Sequence, residues 1–310
     1  MVNTKCSLCN LDNYKIINKY GIIGPKEYGC NLAFCLDCNH NFTLFSNDIP
    51  FENIYEKGKY VLIDTRDSIF EKIININNKI IIYELSKLKI INKNLLDFGT
   101  GKGHFLYSAL SHGWKVQGLE TAKARAEYGI NEYGLHINTN EYKGGELNDS
   151  PFNVITLFHV LEHIQHPKEL LTELIDKNLS ENGYLVIEVP LFDSLQSKIA
   201  GKMWVHLDPP LHLSHFTKYS LFKLINELKL TPVKCSYTSI HLGILGMVQS
   251  IMSLFGYKGM IIDDLKFNKN KFLIITILFV LPFAFIIEIL SILLRRGGII
   301  RVYCKKDQNL

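Results

Sequence analysis

Residues 95–103 read Leu95-Leu96-Asp97-Phe98-Gly99-Thr100-Gly101-Lys102-Gly103, and they decide the fold that the sequence predicts. The apolar start of this stretch predicts a short buried strand, and the apolar spacing over 104–112 predicts a helix directly after the glycines. Glycines between a strand and a helix allow a tight turn, and they let a ligand approach the backbone without Cβ atoms in the way. The stretch therefore predicts a ligand-binding turn in an α/β fold.

A carboxylate follows the next predicted strand. This strand covers Lys115–Leu119 and leads into Glu120, 23 residues after Asp97. A carboxylate at the tip of the second strand can accept hydrogen bonds from both ribose hydroxyls of a nucleoside. Dinucleotide-binding turns have the pattern G-x-G-x-x-G, whereas this turn has D-x-G-x-G-x-G. The turn and the carboxylate together predict a site for a nucleoside-containing cofactor.

Strands and helices alternate along the rest of the chain. Further strands are predicted at 135–138, 153–158, 184–189, 232–239 and 299–303, helices at 122–132, 167–178 and 218–228, and a long loop at 191–216. Apolar strands that alternate with helices indicate a parallel sheet covered on both faces. The predicted fold class is α/β, with a Rossmann-like, seven-stranded and mostly parallel sheet.

Five segments are predicted around this sheet. They are a zinc-binding lobe (1–45), a helical connector (46–92) with apolar residues at helical spacing from Ile69 to Leu88, the core (93–240), an apolar insertion (241–298), and the last core strand with the tail (299–310).

The sequence resembles the class I S-adenosylmethionine-dependent methyltransferases. The glycine turn is similar to their first motif, residues 158–164 (FHVLEHI) to the segment after their fourth strand, and residues 183–190 (GYLVIEVP) to their fifth strand. Trp204, residues 207–213 (LDPPLHL) and residues 216–221 resemble a subgroup of quinone, lipid and glycan pathways. The resemblance implies methyl transfer from S-adenosylmethionine to an oxygen or carbon atom of a small-molecule, lipid-linked or glycan acceptor.

The resemblance also implies roles for individual residues. The glycines of the turn surround the methionine end of the cofactor, Glu120 binds the ribose, and Asn140 or Glu141 contacts the adenine. The predicted cofactor-binding residues are Asp97, Gly99, Thr100, Gly101, Gly103, Glu120, Asn140, Phe158 and His159.

Three histidines are candidate catalytic residues. His159 directly follows the fourth strand, and His212 and His215 lie in the loop after the fifth, so all three are expected near the carboxyl edge of the sheet. Histidine can act as a general base near neutral pH. We predict His159 as the base; the alternative is that it only hydrogen-bonds to the cofactor or the backbone.

His159, Glu162 and His163 also have the i, i+3, i+4 spacing of ligands on one helix face. The segment is also similar to that of ubiquinone-pathway and small-RNA O-methyltransferases, which carry E-x-x-E-H here and bind Mg²⁺, and this resemblance leaves a divalent metal at the three residues open. This chain has a histidine in place of the first glutamate, which suits a hard cation such as Mg²⁺ poorly. The alternative is that Glu162 and His163 brace the local structure.

Two C-x-x-C pairs predict a structural zinc site. Their cysteines are Cys6, Cys9, Cys35 and Cys38, with Cys30 and His40 as spare ligands. A lobe of about 45 residues has too little core to fold unaided, and zinc can stabilise it. Cys235 and Cys304 lie on predicted strands and are expected to be buried.

Residues 272–294 form an apolar run with one charge, Glu288. As a helix the run would be about 35 Å long, enough for a bilayer core of about 30 Å. It lies between two strands of one sheet, so a single crossing would put the last strand on the wrong side of the membrane. We predict a re-entrant or interface-lying helical hairpin together with 240–255; a buried lid or dimer face and two full crossings stay open. Both flanks of the run are basic, so neither end is expected to cross the membrane. The basic residues are Lys266, Lys269 and Lys271 on one side and Arg295, Arg296 and Arg301 on the other.

Composition limits the remaining possibilities. Apolar residues make up 47% of the 310 residues and the net charge is only +4, which indicates a globular protein. Lysine and arginine are too scattered to predict a nucleic-acid partner. The first ten residues have no apolar run, so a cytoplasmic protein is expected. Together with the apolar insertion, this predicts a location at the inner face of the membrane. The alternative to an enzyme is a zinc-ribbon interaction protein that binds S-adenosylmethionine without turnover.

Overall fold

The structure is a computed structural model, and it describes residues 5–24, 28–45, 69–265 and 270–307. Residues 46–68 of the predicted connector, and Lys266 and Lys269 beside the apolar run, lie outside the described residues. The described strands form a seven-stranded sheet and a five-stranded sheet.

The strands are numbered along the chain. They are β1 (Tyr14–Ile16), β2 (Ile22–Ile23), β3 (Cys30–Cys35), β4 (Asn41–Phe45), β5 (Asn94–Phe98), β6 (Lys115–Leu119), β7 (Ile137–Asn138), β8 (Phe152–Phe158), β9 (Leu179–Pro190), β10 (Ser214–His215), β11 (Leu230–Ser236) and β12 (Ile299–Lys306).

The helices are numbered in the same way. They are α1 (Ile69–Ser86), α2 (His104–Ser111), α3 (Lys123–Tyr133), α4 (Pro167–Asn178), α5 (Leu195–Ala200), α6 (Lys218–Glu227), α7 (Ile240–Leu254) and α8 (Lys271–Leu293). A 3₁₀ turn, Leu161–His163, follows β8, and a single helical turn, Ile261–Asp263, lies between α7 and α8.

The seven-stranded sheet has the order β11-β12-β9-β8-β5-β6-β7. The pairs among β5 to β9 are parallel, and β12 runs antiparallel to both β9 and β11. This arrangement confirms the predicted Rossmann-like, mostly parallel sheet. The connections lead outward from β5 to β6 and β7 on one side and to β8 and β9 on the other, which leaves a crevice at the carboxyl ends of β5 and β8.

The connector helix α1 packs differently from the predicted pattern. Ile76 and Tyr83, which the spacing placed on the apolar face, are exposed, whereas Ile81, Ile82 and Leu85 are buried against the core. Apolar residues occur on all sides of this helix, so periodicity alone did not indicate which face packs.

The five-stranded sheet joins the cysteine lobe to the core. Strands β1, β3 and β4 pair in that order, β2 pairs with β3, and β10 from the core adds to β4. The predicted loop over 191–216 is thus wrong in part, because it contains α5 and β10. A strand of two residues has no periodicity to detect, and it exists here because β4 offers an unpaired edge.

The insertion contains α7, which packs on α1, α5 and α8. It also contains α8, which is 23 residues long and includes an 18-residue window with a mean hydropathy of 2.8. The inward side of α8 carries residues at helical spacing: Ile277, Val280, Ala284, Glu288 and Ser291. Glu288 accepts hydrogen bonds from Gln196 Nε2 (2.7 Å) and from the backbone N–H of Gly298 (3.2 Å). The only charge of the apolar run therefore faces the protein.

The two remaining cysteines differ in burial. Cys304 on β12 is buried, as predicted, but Cys235 on β11 is exposed. The prediction for Cys235 is wrong because β11 is the edge strand of the sheet and every second residue of it faces outward.

Candidate cofactor site

The glycine turn combines a packed and an open position. Gly99 and Gly101 have φ angles of +75° and +58°. A Cβ on Gly99 would lie 2.4 Å from Val160 Cγ2, whereas a Cβ on Gly101 would have none of the described atoms within 4 Å. Gly99 thus lets the loop after β8 pack on the turn, and Gly101 leaves the backbone open to a ligand.

Glu120 at the end of β6 is held by backbone hydrogen bonds. The N–H of Gly101 donates to Glu120 Oε2 and the N–H of Ala122 donates to Glu120 Oε1, each at 2.8 Å. A carboxylate has about four acceptor positions, so each oxygen can still accept a bond from a ligand hydroxyl. The carboxylate therefore has a fixed orientation at the crevice.

A cavity of about 1090 Å³ lies at the crevice between the loops after β5 and β8. Five predicted residues line it: Gly99, Glu120, Asn140, Glu141 and His159. The wall also includes residues that were not predicted to bind the cofactor, among them Arg125, Tyr142, Lys143, Val160 and His163. Its size suits a drug-sized ligand or cofactor.

Other predicted cofactor residues lie behind this wall. Asp97 is buried and accepts a hydrogen bond from Thr156 Oγ1 (2.6 Å); burial raises the pKa of Asp97 to about 6 although that bond lowers it. Thr100 is also buried, and Gly103 is the N-cap of α2. Phe158 packs edge-to-face on Phe105, with 4.8 Å between the ring centroids. These residues shape the turn from beneath.

His159 is clamped between two buried carboxylates. Its Nδ1 lies 3.3 Å from Glu162 Oε1 and its Nε2 lies 3.0 Å from Glu188 Oε1. Burial acts to lower the pKa of His159, but the hydrogen bonds and charges of Glu162 and Glu188 outweigh burial and raise the pKa to about 10. An imidazole that keeps both protons cannot accept another. This geometry argues against His159 as the general base and fits the alternative role as a hydrogen-bonding group.

The contacts of His159 continue into the sheet through residues that had no predicted role at the site. Arg301, which was expected in the basic flank of the apolar run, is instead buried. Arg301 on β12 forms ion pairs with Glu188 on β9 and with Glu84 on α1. Tyr303 donates a hydrogen bond of 2.5 Å to Glu84. Burial acts to raise the pKa of Glu188, but Arg301 and His159 lower it to about 2. Glu188 and Arg301 could have been suspected as charges within otherwise apolar strands.

Three further histidines from the sequence predictions, His163, His212 and His215, lie in different parts of the structure. His163 lines the cavity, and His212 is buried behind it, with 4.6 Å between the two ring centroids. His215 instead faces the cysteine lobe, where its Nε2 lies 2.9 Å from Thr43 Oγ1, and burial lowers its pKa to about 3. The position of His215 on β10, away from the cavity wall, argues against its predicted catalytic role.

The four predicted zinc ligands lie together. The Sγ atoms of Cys6, Cys9, Cys35 and Cys38 are all within 4.8 Å of one another, and the Cys6–Cys38 and Cys9–Cys35 pairs are 3.5 Å apart. A tetrahedron with Zn–S distances of about 2.3 Å has edges of about 3.8 Å, so the donors fit one zinc ion.

The two spare ligands are not part of this cluster. Cys30 belongs to the apolar cluster around Trp204, and the buried ring of His40 packs on Phe216 with 5.0 Å between the centroids.

Comparison with known proteins gives one family. A family model described as "Methyltransferase domain" matches residues 74–234, just over half of the chain. The match covers the glycine turn, Glu120 and the segments of His159 and His212. No curated protein matches the chain by sequence.

Solved structures resemble this fold at low identity. A candidate sarcosine dimethylglycine methyltransferase from Galdieria sulphuraria has a TM-score of 0.50 and 13% identity, with coverage of 76% of this chain and 87% of that chain. An S-adenosylmethionine-dependent methyltransferase from Archaeoglobus fulgidus has a TM-score of 0.48 and 16% identity, with coverage of 83% and 98%. The plantazolicin methyltransferase BpumL, with bound S-adenosylhomocysteine, has a TM-score of 0.49 and 16% identity, with coverage of 84% of this chain and 91% of that chain. The likeness is one of fold.

The open position at Gly101 gives a testable prediction. Gly101→Ala should lower the affinity for S-adenosylmethionine by about tenfold or more, because its Cβ would enter the open space beside Glu120 in which we expect the cofactor. Gly113→Ala is the matched control, since Gly113 also has a positive φ (+79°) and open space around its Cβ. Each variant should lose about 1–2 kcal/mol of stability. Calorimetric titration checks the affinity, and equal binding by the two variants would contradict this position of the ligand.

Proposed function

The chain belongs to the methyltransferase-domain family, and from this premise we propose that it transfers the methyl group of S-adenosylmethionine to an oxygen or carbon atom of a small-molecule, lipid-linked or glycan acceptor. The observation that carries the proposal is the open backbone of Gly101 beside the fixed carboxylate of Glu120, at the rim of a cofactor-sized cavity. S-adenosylmethionine supplies the activated methyl group, so the protein has to bind and orient the two reactants.

In this proposal different residues at the cavity bind different parts of the cofactor. Glu120 accepts hydrogen bonds from the ribose hydroxyls, the turn around Gly101 faces the methionine end, and Asn140 with Glu141 contacts the adenine. All but Gly101 line the same cavity. His159 acts as a positively charged positioning group, because Glu162 and Glu188 hold its proton.

Cofactor binding and methyl transfer can be tested together. Glu120→Ala should lower the affinity for S-adenosylmethionine by about tenfold or more, since charge-assisted hydrogen bonds contribute about 1.5–3 kcal/mol each. Glu127→Ala, which removes an exposed carboxylate from α3, is the control and should bind normally. Calorimetry measures binding, and transfer of a tritiated methyl group into lipid and aqueous cell extracts measures activity.

We expect label in at least one of the two extracts with wild type and the Glu127→Ala control, and much less with Glu120→Ala. Normal cofactor binding without label in either extract would favour the alternative, an interaction protein that binds S-adenosylmethionine without turnover.

We further propose that the cysteine lobe holds one structural zinc ion. The four sulfur atoms supply the tetrahedral donor set that zinc prefers. The lobe also supports the core, because Thr43 Oγ1 donates to the carbonyl of His212 (2.7 Å) and Thr43 N–H donates to the carbonyl of Leu213 (2.9 Å). Zinc would therefore stabilise the lobe and, through Thr43, the segment that carries His212.

The zinc proposal predicts a difference between two cysteines of β3. Cys35→Ser should abolish zinc binding and the local order of the lobe, because the apparent binding free energy of a structural zinc ion is about 10–16 kcal/mol. Cys30→Ser, on the same strand but outside the cluster, should retain one zinc ion per chain. Metal analysis by mass spectrometry decides: zinc-free wild-type protein that is correctly folded would overturn the proposal.

The outer face of α8 leads us to propose attachment to a membrane surface. Of the described helices only α8 is long and apolar enough to cross a bilayer. Helix α7 has 15 residues and packs against α1 and α5, which disfavours two full crossings. Because Glu288 faces inward, the outer face of α8 carries no charge after Lys271 at its first turn. Its exposed large apolar residues are Phe272, Ile274, Ile275, Leu278, Phe279, Phe283, Phe285, Ile286, Ile289, Leu290 and Leu293.

Membrane attachment should depend on this face. Replacing Ile275, Leu278 and Phe279 by glutamine should abolish co-sedimentation with vesicles of phosphatidylcholine and phosphatidylglycerol, because the buried apolar area is lost. The control replaces three exposed apolar residues that lie outside α8 by glutamine: Ile91, Leu110 and Tyr219. Wild type that stays in solution with vesicles present would contradict the proposal, and a wild-type dimer that the triple variant dissociates would favour the dimer face.

A further inference from the structure

We propose that Glu162, His163 and His212 form a binding site for a divalent first-row transition-metal ion beside the cofactor cavity. Glu162 and His163 belong to the 3₁₀ turn after β8, and His212 lies in the segment before β10. Each residue offers one ligand atom, and the three atoms are within 4.8 Å of one another. Ligands at about 2.0–2.2 Å from one ion lie up to about 4.4 Å apart, so small side-chain movements bring all three onto one ion.

The two imidazoles are oriented for this role by backbone carbonyls. His163 Nδ1 lies 3.0 Å from the carbonyl oxygen of Leu211, and His212 Nδ1 lies 2.8 Å from that of His206. A carbonyl oxygen only accepts, so each Nδ1 carries the proton and each Nε2 keeps its lone pair. Histidine ligands of metals are commonly fixed in this way, with the second ring nitrogen donating to a carbonyl or carboxylate.

The carboxylate is the second, independent observation. Glu162 is 1% exposed, and its Oε2 has no hydrogen-bond partner among the described residues. Leaving a buried polar atom unpaired is unfavourable, and more so for a charged group. A cation bound between Glu162 and the two imidazoles would satisfy this oxygen.

The two ligand-bearing segments are already tied together. The N–H of Leu213 donates to the backbone carbonyl of Glu162 at 2.8 Å, and Thr43 of the cysteine lobe holds the carbonyls of His212 and Leu213. The three ligands are therefore positioned by the fold before an ion arrives, which reduces the cost of assembling the site.

This set differs from the triad expected from sequence spacing. His159 is not a member, because both of its ring nitrogens face the carboxylates of Glu162 and Glu188. His212, about fifty residues further along the chain, takes the third position. The spacing of residues 159–163 thus indicated two of the three ligands.

The donor set indicates the class of metal. Two imidazoles and one carboxylate suit Mn²⁺, Fe²⁺, Co²⁺ or Zn²⁺ better than Mg²⁺ or Ca²⁺, which prefer oxygen ligands. Three protein ligands leave coordination positions open, and His163 lines the cavity. On the basis of the proposed function, an oxygen or nitrogen atom of the methyl acceptor can occupy an open position; the metal site itself does not depend on that function.

Mn²⁺ is the probe that distinguishes this site from the cysteine cluster, because thiolates prefer softer metals. We expect zinc-loaded wild-type protein to bind one Mn²⁺ ion per chain in a titration followed by electron paramagnetic resonance. Glu162→Gln and His212→Gln should each weaken Mn²⁺ binding by about tenfold or more. His166→Gln is the control: this histidine lines the same cavity outside the cluster and should have no effect.

Two further measurements distinguish loss of the metal site from misfolding of a variant and from loss of the cofactor site. X-ray absorption of Mn²⁺-loaded wild type should show nitrogen and oxygen ligands with two imidazoles, and this result does not depend on any variant folding. Calorimetry with S-adenosylhomocysteine on the same variants reports the cofactor site separately. Wild type that binds no Mn²⁺, or variants that bind it as wild type does, would overturn the metal site even if cofactor binding is intact.

Discussion

Strand β5 pairs in parallel with β6 on one side and with β8 on the other, and the chain direction through the sheet diverges at this point. Loops that leave β5 and β8 therefore turn to different sides, and a crevice opens between them. The glycine turn, Glu120 and the segment after β8 all border this crevice. The pairing of β5 thus decides where a cofactor can bind and which side chains can reach it.

A chain of buried and partly buried charges lies below the crevice. His159, Glu188, Arg301 and Glu84 alternate in sign and connect the loop after β8 with β9, β12 and α1. Each charge loses hydration on burial, and the neighbouring opposite charges and hydrogen bonds offset that cost. Removing one partner of such a pair costs about 3–5 kcal/mol, because the other charge stays buried and unpaired. The position of His159 therefore depends on charged residues of β9, β12 and α1.

The cysteine lobe is continuous with the core through β10. One strand from the core completes the five-stranded sheet of the lobe, and Thr43 of the lobe holds the segment that carries His212. The two proposed metal sites are linked by this contact, since one stabilises the lobe and the other uses His212 as a ligand. The inward-facing Glu288 connects α8 to the core in a similar way, because it is bonded to Gln196 of α5 and to Gly298 before β12.

Local patterns in the sequence were sufficient for the sheet, the glycine turn, the position of Glu120, the pairs of cysteines and the length of α8. These features depend on residues close together in the chain, where apolar periodicity and glycine positions reflect backbone geometry directly. Contacts between distant residues were decided by the tertiary structure alone. Three features require partners between 29 and 174 positions away in the chain. They are the contact of His159 with Glu188, the meeting of His212 with Glu162 and His163, and the pairing of β10 with β4. Glu162 is the exception, since it lies only three positions from His159, whose φ is +56°. Such partners leave no periodic signal, because burial and charge compensation are settled only when the strands have paired.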